Sequence, residues 1–365
     1  MREYRVPTLT FLSQTAPPST EQSREVFDAL CRSTSDIHLD RFGWAYAAYD
    51  RVFSLVPWNS GGGPGGNPLL FVDESYDEPT QTTLYSGLLM NSGAAFILAG
   101  WYLGSLVTLR KQVAPVWPVD TRPPRLHFRE MFNEHARQKT TWRSLGVQAI
   151  TDLISVVADA LGENEHVHPF VVRVPDAEIE KALTAAFPGG ADERAIEDLV
   201  GQIVAQALTS AVVDNTSRGL KIDLVIDYDA TKIHVGRIRE ADHALDVGGK
   251  RQSTQRFIEA ICSTPTDPRL LVNAAARNTS HFPADLTWAR FTAHGCPFRP
   301  LIEAIGLQFA DLYINVWRHL QYGAYPQLGV SRRILARAKQ TDYFWAPPAD
   351  GDGRRPPFAS GFPVE

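Results

Sequence analysis

Several things are scarce in this chain, and each shortage removes a class of function. Its 365 residues hold three cysteines. Cys31, Cys262 and Cys296 are scattered, odd in number and without a Cys-x-x-Cys pair, which argues against both a disulfide framework and a structural zinc site and predicts a reducing, cytoplasmic setting. Positive charge is not in excess. The 36 Lys and Arg against 41 Asp and Glu give a formal net charge of -5, so any nucleic-acid binding must come from a local basic patch. Long apolar runs are also missing. Met1-Arg-Glu-Tyr-Arg5 leads into no apolar signal core, so the sequence predicts no secretion. The uncharged stretch 80–109 is broken by Gly87, Gly93 and Gly100, and its last run is shorter than the roughly 20 residues a membrane span needs. It reads as a strand, a turn and a buried helix, with no membrane partner. No repeat with a period of roughly 20–50 residues is visible, which excludes solenoid architecture.

The remaining composition, 44% hydrophobic and 10% aromatic, is that of an ordinary globular protein. Residues 1–57 read as a helical N-terminal extension, with Val26, Phe27, Leu30 and Cys31 at helical spacing. Residues 58–67 form a glycine-rich loop. Gly61, Gly63 and Gly66 formally satisfy Gly-x-Gly-x-x-Gly, but they precede a strand instead of following one, so they predict no dinucleotide site. No Walker lysine follows. Leu69, Leu70, Phe71 and Val72 then make an unbroken apolar run, the mark of a strand covered on both faces, with Asp73 and Glu74 expected at its end.

Further strands are expected at 83–90, 168–174, 220–227 and 286–291. Helices are expected at 94–110, 144–161, from Asp176, and at 192–215, 253–262 and 301–320. On the 220–227 strand Leu220, Ile222, Leu224 and Ile226 share one face, and Asp223 and Asp227 share the other. Val147, Ile150, Leu153, Ile154 and Val157 define the buried face of the 144–161 helix. Residues 346–365 have the composition of an irregular tail. Strands mixed with long helices predict an α/β layered domain.

Acids beside apolar core recur in four places: Asp73 with Glu74, Glu130, Asp227 and Asp311. The motifs are Phe71-Val-Asp-Glu-Ser75, Leu126-His-Phe-Arg-Glu130, Val225-Ile-Asp227 and Gly306-Leu-Gln-Phe-Ala-Asp-Leu312. In order and rough spacing they resemble the DUF3800 family over residues 68–320. The resemblance implies a ribonuclease H-like mixed sheet flanked by helices, spanning 68–345 with helical insertions. It also implies a divalent-metal-dependent nuclease acting on RNA or DNA. Carried onto this chain, it makes Asp73, Asp227 and Asp311 metal ligands, with Glu74 or Glu130 as a fourth; His127 suits a proton shuttle by its imidazole chemistry. Two departures are visible. Arg125 stands where family members often carry an acid, and Tyr76 where they carry a glycine.

The chemistry supports that reading without the name. Several carboxylates in one pocket repel unless a divalent cation neutralises them, and hard oxygen donors suit Mg²⁺ or Mn²⁺. Two such ions about 3.5–4 Å apart activate a water and stabilise the leaving oxygen of a phosphodiester. Basic residues that suit a nucleic-acid path cluster at Arg122, Arg125, Arg129, Arg137, Lys139 and Arg143, at Arg237, Arg239, Lys250, Arg251 and Arg256, and at Arg332, Arg333, Arg337 and Lys339. Trp142 and Tyr228 are candidate stacking partners. Plainer readings stand beside these. Asp73-Glu74-Ser75 also reads as a turn, and Gln308, Asp311, Asn315 and Arg318 as the solvated stripe of an amphipathic helix. Asp227 also reads as a partner of Lys221, and His166 with His168 as a polar loop. A catalytically inactive scaffold that binds nucleic acid or a partner protein is the competing function, and a hydrolase of a small phosphorylated metabolite a third.

Overall fold

The computed structural model describes residues 68–90, 121–163, 167–190, 220–226, 270–274, 299–323 and 339–342, with isolated positions at 94, 95, 98, 99, 102, 106, 110, 117, 195, 199, 203 and 282. Outside them lie the N-terminal extension, the glycine-rich loop, Asp227, Tyr228, the three cysteines, the helix expected at 253–262, the strand expected at 286–291 and the tail. In chain order the elements are β1 (Leu69–Asp77), β2 (Thr82–Met90), α1 (Phe128–Phe132), α2 (Glu134–Arg137), a 3-10 turn (Thr141–Ser144), α3 (Val147–Glu163), β3 (Val167–Pro175), α4 (Asp176–Ala186), β4 (Leu220–Ile226), β5 (Leu270–Ala274), α5 (Arg299–Tyr322) and β6 (Lys339–Asp342).

The six strands form one sheet in the order β5-β4-β1-β2-β3-β6. Parallel pairs join β1 to β4, β4 to β5 and β3 to β6. Neighbours β1 and β2 are joined by the short turn 78–81, so they make an antiparallel hairpin and the sheet is mixed. This is an α/β architecture. It falls into two interleaved units. One, made of Leu69–Leu89, His168–Asn278 and Ala336–Glu365, carries the sheet and α4; the other, made of Met1–Pro68, Met90–Val167 and Thr279–Leu335, carries α1, α2, α3 and α5.

In the sheet unit, Leu69, Leu70, Phe71 and Val72 are no more than 3% exposed, as a run without polar interruption requires. The strand nevertheless continues past Asp73 and Glu74 to Asp77, so the two acids lie within β1 and not at its end. The turn comes later, where Pro79 fits the second position of a type I turn closed by Gln81 N–H to Glu78 C=O (3.3 Å), and Gln81 takes φ +46°. Gln81 C=O in turn accepts from the N–H of Asp176 (2.9 Å), the first residue of α4.

All nine residues of β2 are buried. The fit between β2 and β3 is close at Gly87, where an added Cβ would lie 1.9 Å from the ring of Phe170. His168 stands half-buried on β3, as the strand expected at 168–174 has it and not in the polar loop read for the His166 and His168 pair. β5 and β6 were not expected. β5 offers only a short apolar run, and β6, Lys-Gln-Thr-Asp, has no apolar residue at all, as suits the outermost strand of a sheet.

In the helical unit, α3 and α5 pack on each other. Ile150, Leu153, Ile154 and Val157 are buried on α3, but Val147 is 40% exposed because it opens the helix ahead of the contact. Residues 301–310 of α5 are buried on every side, the pattern of a helix enclosed by its unit. α5 ends where Gly323, at φ +70°, donates its N–H to His319 C=O (2.7 Å). Tyr102, on the helical residues between 94 and 110, meets Phe309 edge to face with centroids 5.5 Å apart. Among the described residues no helix is long and apolar enough to cross a membrane.

Gly87→Ala is expected to destabilise the protein by about 1–3 kcal/mol, because the ring it meets is itself fully buried. Urea denaturation of the variant checks this, and an unchanged midpoint would refute the close approach.

Candidate functional site

The four acidic motifs fall into two pairs, one in each unit. The first and third motifs lie on neighbouring strands of the sheet unit. β1 and β4 run parallel with Leu69 opposite Asp223 and Val72 opposite Ile226, the last described residue of β4. Val225 is buried along with Leu224 and Ile226, so this end of β4 is covered on both faces. Asp73 follows Val72 and is partly exposed.

Glu74 belongs to a different neighbourhood from Asp73, because adjacent residues of a strand point to opposite faces. The Tyr85 phenol is held well above its usual pKa, first by complete burial and then by the charges of Glu74 and Asp176. The charge of Glu74 therefore acts on Tyr85. The same region is tied together by Tyr76, whose hydroxyl donates to Asp176 Oδ2 (2.8 Å). Tyr85 and Asp176 were not among the expected residues. The signal available for Asp176 was only its place just after Pro175, at the start of a helix.

The second and fourth motifs meet in the helical unit. Residues 122–127 are neither helix nor strand, so their backbone groups need partners from elsewhere. Leu126 N–H donates to Gln308 Oε1 (2.9 Å), and Phe128 N–H donates to Asp311 Oδ2 (2.7 Å). Phe128 opens α1, and its cap residue His127 makes no side-chain capping bond, so Asp311 fills that role from a distant helix. Asp311 is itself steadied one turn along α5 by Asn315, whose Nδ2 donates to its Oδ1 (3.0 Å) and to its backbone carbonyl (2.8 Å). The polar stripe of α5 is therefore packed and not solvated: Gln308 is fully buried, and Asp311, Asn315 and Arg318 are partly so.

Glu130 is engaged by Arg125, which donates Nε (2.9 Å) and Nη2 to the same carboxylate oxygen. His127 Nδ1 lies 3.8 Å from that oxygen, beyond hydrogen-bond range. Arg125 is also held through its backbone, since its carbonyl accepts from Trp142 Nε1 (2.8 Å). Trp142 has no exposed surface and meets Trp117 edge to face at 6.1 Å. It is a core residue and offers no face to a base, contrary to the expectation of stacking.

Of the first basic group, Arg122, Arg129, Lys139 and Arg143 are exposed, and Arg137 is partly covered. The second and third groups lie outside the described residues, apart from Lys339 on β6. Among the described residues no group of three or more His, Cys, Asp and Glu side chains is arranged to hold one metal ion.

Two measurements check these assignments. Gln308→Ala leaves the Leu126 N–H without its acceptor in a buried place and is expected to cost about 1–3 kcal/mol in urea denaturation. At alkaline pH the buried phenols act with a definite sign. Tyr85 and Tyr102 both have folded pKa values above the unfolded value of 10.0, so above that pH the folded state holds more protons and stability falls as pH rises. Each contributes up to about 1.4 kcal/mol per pH unit to that slope. Tyr85 and Tyr102 should ionise only as the chain unfolds, and Tyr85→Phe should flatten the alkaline loss. Absorbance titration against a circular-dichroism melt reads both effects.

The chain matches no protein-family model, no curated protein and no solved structure.

Proposed function

We propose that the chain is a divalent-metal-dependent nuclease of the DUF3800 type, built on a ribonuclease H-like sheet and hydrolysing phosphodiester bonds of RNA or DNA. One observation carries the reading: the first and third acidic motifs occupy adjacent parallel strands, and the residues that follow the Val72–Ile226 pair in the sequence are Asp73 and Asp227. A hairpin extended beside β1 by two parallel strands supports the fold side of the proposal. Carboxylates brought close together repel, which favours a cation between them. Their donor chemistry, hard carboxylate oxygen, fits Mg²⁺ or Mn²⁺. Such an ion supplies charge neutralisation and an activated water at a phosphodiester.

In this reading Asp73 and Asp227 hold the cation, and Asp311 is a further ligand on the strength of the resemblance alone. Glu74, next to Asp73 on β1 and expected on the opposite face of the strand, is the less favoured ligand. His127 stays the proton-shuttle candidate, being partly exposed beside the second motif. A reducing cytoplasm remains the compartment that suits the three scattered cysteines.

A second reading has its own support. Glu130, the acid of the second motif, is already neutralised by Arg125, which stands where related sequences often carry another acid. That pairing favours a catalytically inactive scaffold that binds nucleic acid or a partner protein.

Cleavage of labelled single-stranded, duplex and hybrid substrates with Mg²⁺, Mn²⁺ or EDTA separates the two. For the nuclease, Asp73→Asn and Asp227→Asn should lower the rate by roughly a hundredfold or more with unchanged melting, since even outer-shell partners of a metal are worth about 10–100-fold. Cleavage that persists in EDTA, or an Asp73→Asn variant that cuts at the wild-type rate, would refute the assignment. Binding without cleavage under every condition would establish the scaffold.

A further inference from the structure

Residues 128–144 of the helical unit carry a surface that neither the acidic motifs nor the core explains. Three residues anchor it: Phe128 and Met131 are the buried residues of α1, and Trp142 is that of the 3-10 turn. Between them, α2 buries none of its residues. So short a helix is marginal on its own, and one that covers no apolar surface gains little from packing. Local bonds hold it instead. Asn133 Oδ1 caps it by accepting from Ala136 N–H (3.0 Å), and the turn that follows is closed by Lys139 N–H to Ala136 C=O (3.1 Å) and Thr140 N–H to Arg137 C=O (3.0 Å). Because α2 packs on α1 and on the 3-10 turn, the three elements make one continuous surface.

What that surface displays is positive. Arg129, Lys139 and Arg143 are exposed, and Arg137 is half-buried. Among the described residues none of these four meets a carboxylate. Arg137 is steadied through Nη1, which donates to Met131 C=O (3.4 Å). The acids of the same stretch are Glu130, already bound by Arg125, and Glu134, which is exposed. Arg122 and Arg125 add nothing to the surface, since each already has a partner. Four cations therefore stand against one acid on a chain whose formal net charge is -5, so the positive potential is local and not the field of the whole protein.

We propose that this surface binds the phosphate backbone of a nucleic-acid strand, with Arg129, Lys139 and Arg143 contacting phosphates and Arg137 beside them. Three of the four cations are guanidinium groups, whose planar fork matches two phosphate oxygens at once. Several separate cations suit a repeating anion better than a single small one, and the ordered backbone beneath them lowers the ordering cost of binding. A membrane surface is the weaker match. Interfacial binding draws on apolar side chains beside the cations, and among the described residues the large apolar one that stands exposed is Val147, outside this stretch. Contacts of this kind position a strand without reading its sequence. The inference shares only its partner with the proposed function; it needs no metal and holds for the nuclease and for a nucleic-acid-binding scaffold alike.

The test titrates the full-length protein, in EDTA, with a labelled single strand, with a duplex of the same length, and with vesicles of equal parts phosphatidylserine and phosphatidylcholine. Wild type is compared at several salt concentrations with a triple variant, Arg129→Gln with Lys139→Gln and Arg143→Gln, and with a charge-keeping one, Arg129→Lys with Arg143→Lys. Wild type should bind at least one of the two nucleic acids, and the triple variant should bind it at least about tenfold more weakly, with a salt slope shallower by about two to three counterions. The charge-keeping variant should retain the wild-type salt slope even where it binds more weakly, because the slope counts phosphate contacts and not their geometry.

Equal binding by wild type and the triple variant, no binding of either nucleic acid, or tighter binding to the vesicles overturns the surface, whatever the cleavage result. A charge-keeping variant with a slope as shallow as the triple variant's overturns it too. Weakened binding by the triple variant, with no cleavage by wild type in Mg²⁺ or Mn²⁺, supports the surface and removes the nuclease. All the substituted residues are exposed, and melting curves that match wild type confirm that the variants are folded.

Discussion

A backbone that crosses packed structure outside any helix or strand must still satisfy its N–H groups, and in the helical unit this requirement governs the arrangement. Residues 122–127 form such a segment, and one face of α5 supplies what they need. Gln308 takes the N–H of Leu126 and Asp311 that of Phe128, two acceptors three positions apart meeting two donors two positions apart. Because the rows of side chains on a helix repeat at three and four residues, the two acceptors stand side by side. The connection fixes where α1 begins, and with it the placement of His127, Arg125 and Glu130. Trp142 closes the arrangement from the other side through the Arg125 carbonyl.

What the sequence revealed, and what it hid, follow from the distance over which each signal acts. Continuous apolar runs made β1 and β2 readable, and the helical period did the same for α3 and α5. Period two within β1 was readable as well, and it separates Glu74 from Asp73. Contacts across long separations were not. Asp311 lies 183 residues from Phe128, and nothing local distinguishes a carboxylate that will cap a remote helix from one that faces water. Trp142 was misread for a related reason: its indole looks like a stacking surface until its N–H is seen to be spent on a carbonyl inside the core. β6 was hidden because a four-residue polar strand has neither an apolar run nor alternation.

The acids divide along the same line. In the helical unit each carboxylate of the motifs is already engaged structurally, since Asp311 receives backbone and amide N–H groups and Glu130 receives a guanidinium. The sheet unit differs, because there Val72 of the first motif and Ile226 of the third are register partners on paired strands. A parallel ladder fixes relative position to a fraction of a residue, which no surface turn would do. That is why the proposed cation site is placed on β1 and β4.

The pairing of β3 with β6 has a temporal side. Phe170 and Lys339 are register partners 169 residues apart, and Arg173 meets Asp342 across the same ladder at 3.5 Å. During synthesis at roughly 5–20 residues per second, the outer edge of β3 therefore waits on the order of ten seconds for its neighbour. Through that interval an apolar strand with unpaired amides stands next to the ribosome. That edge stays open to mispairing until the four polar residues of β6 are made and pair with it.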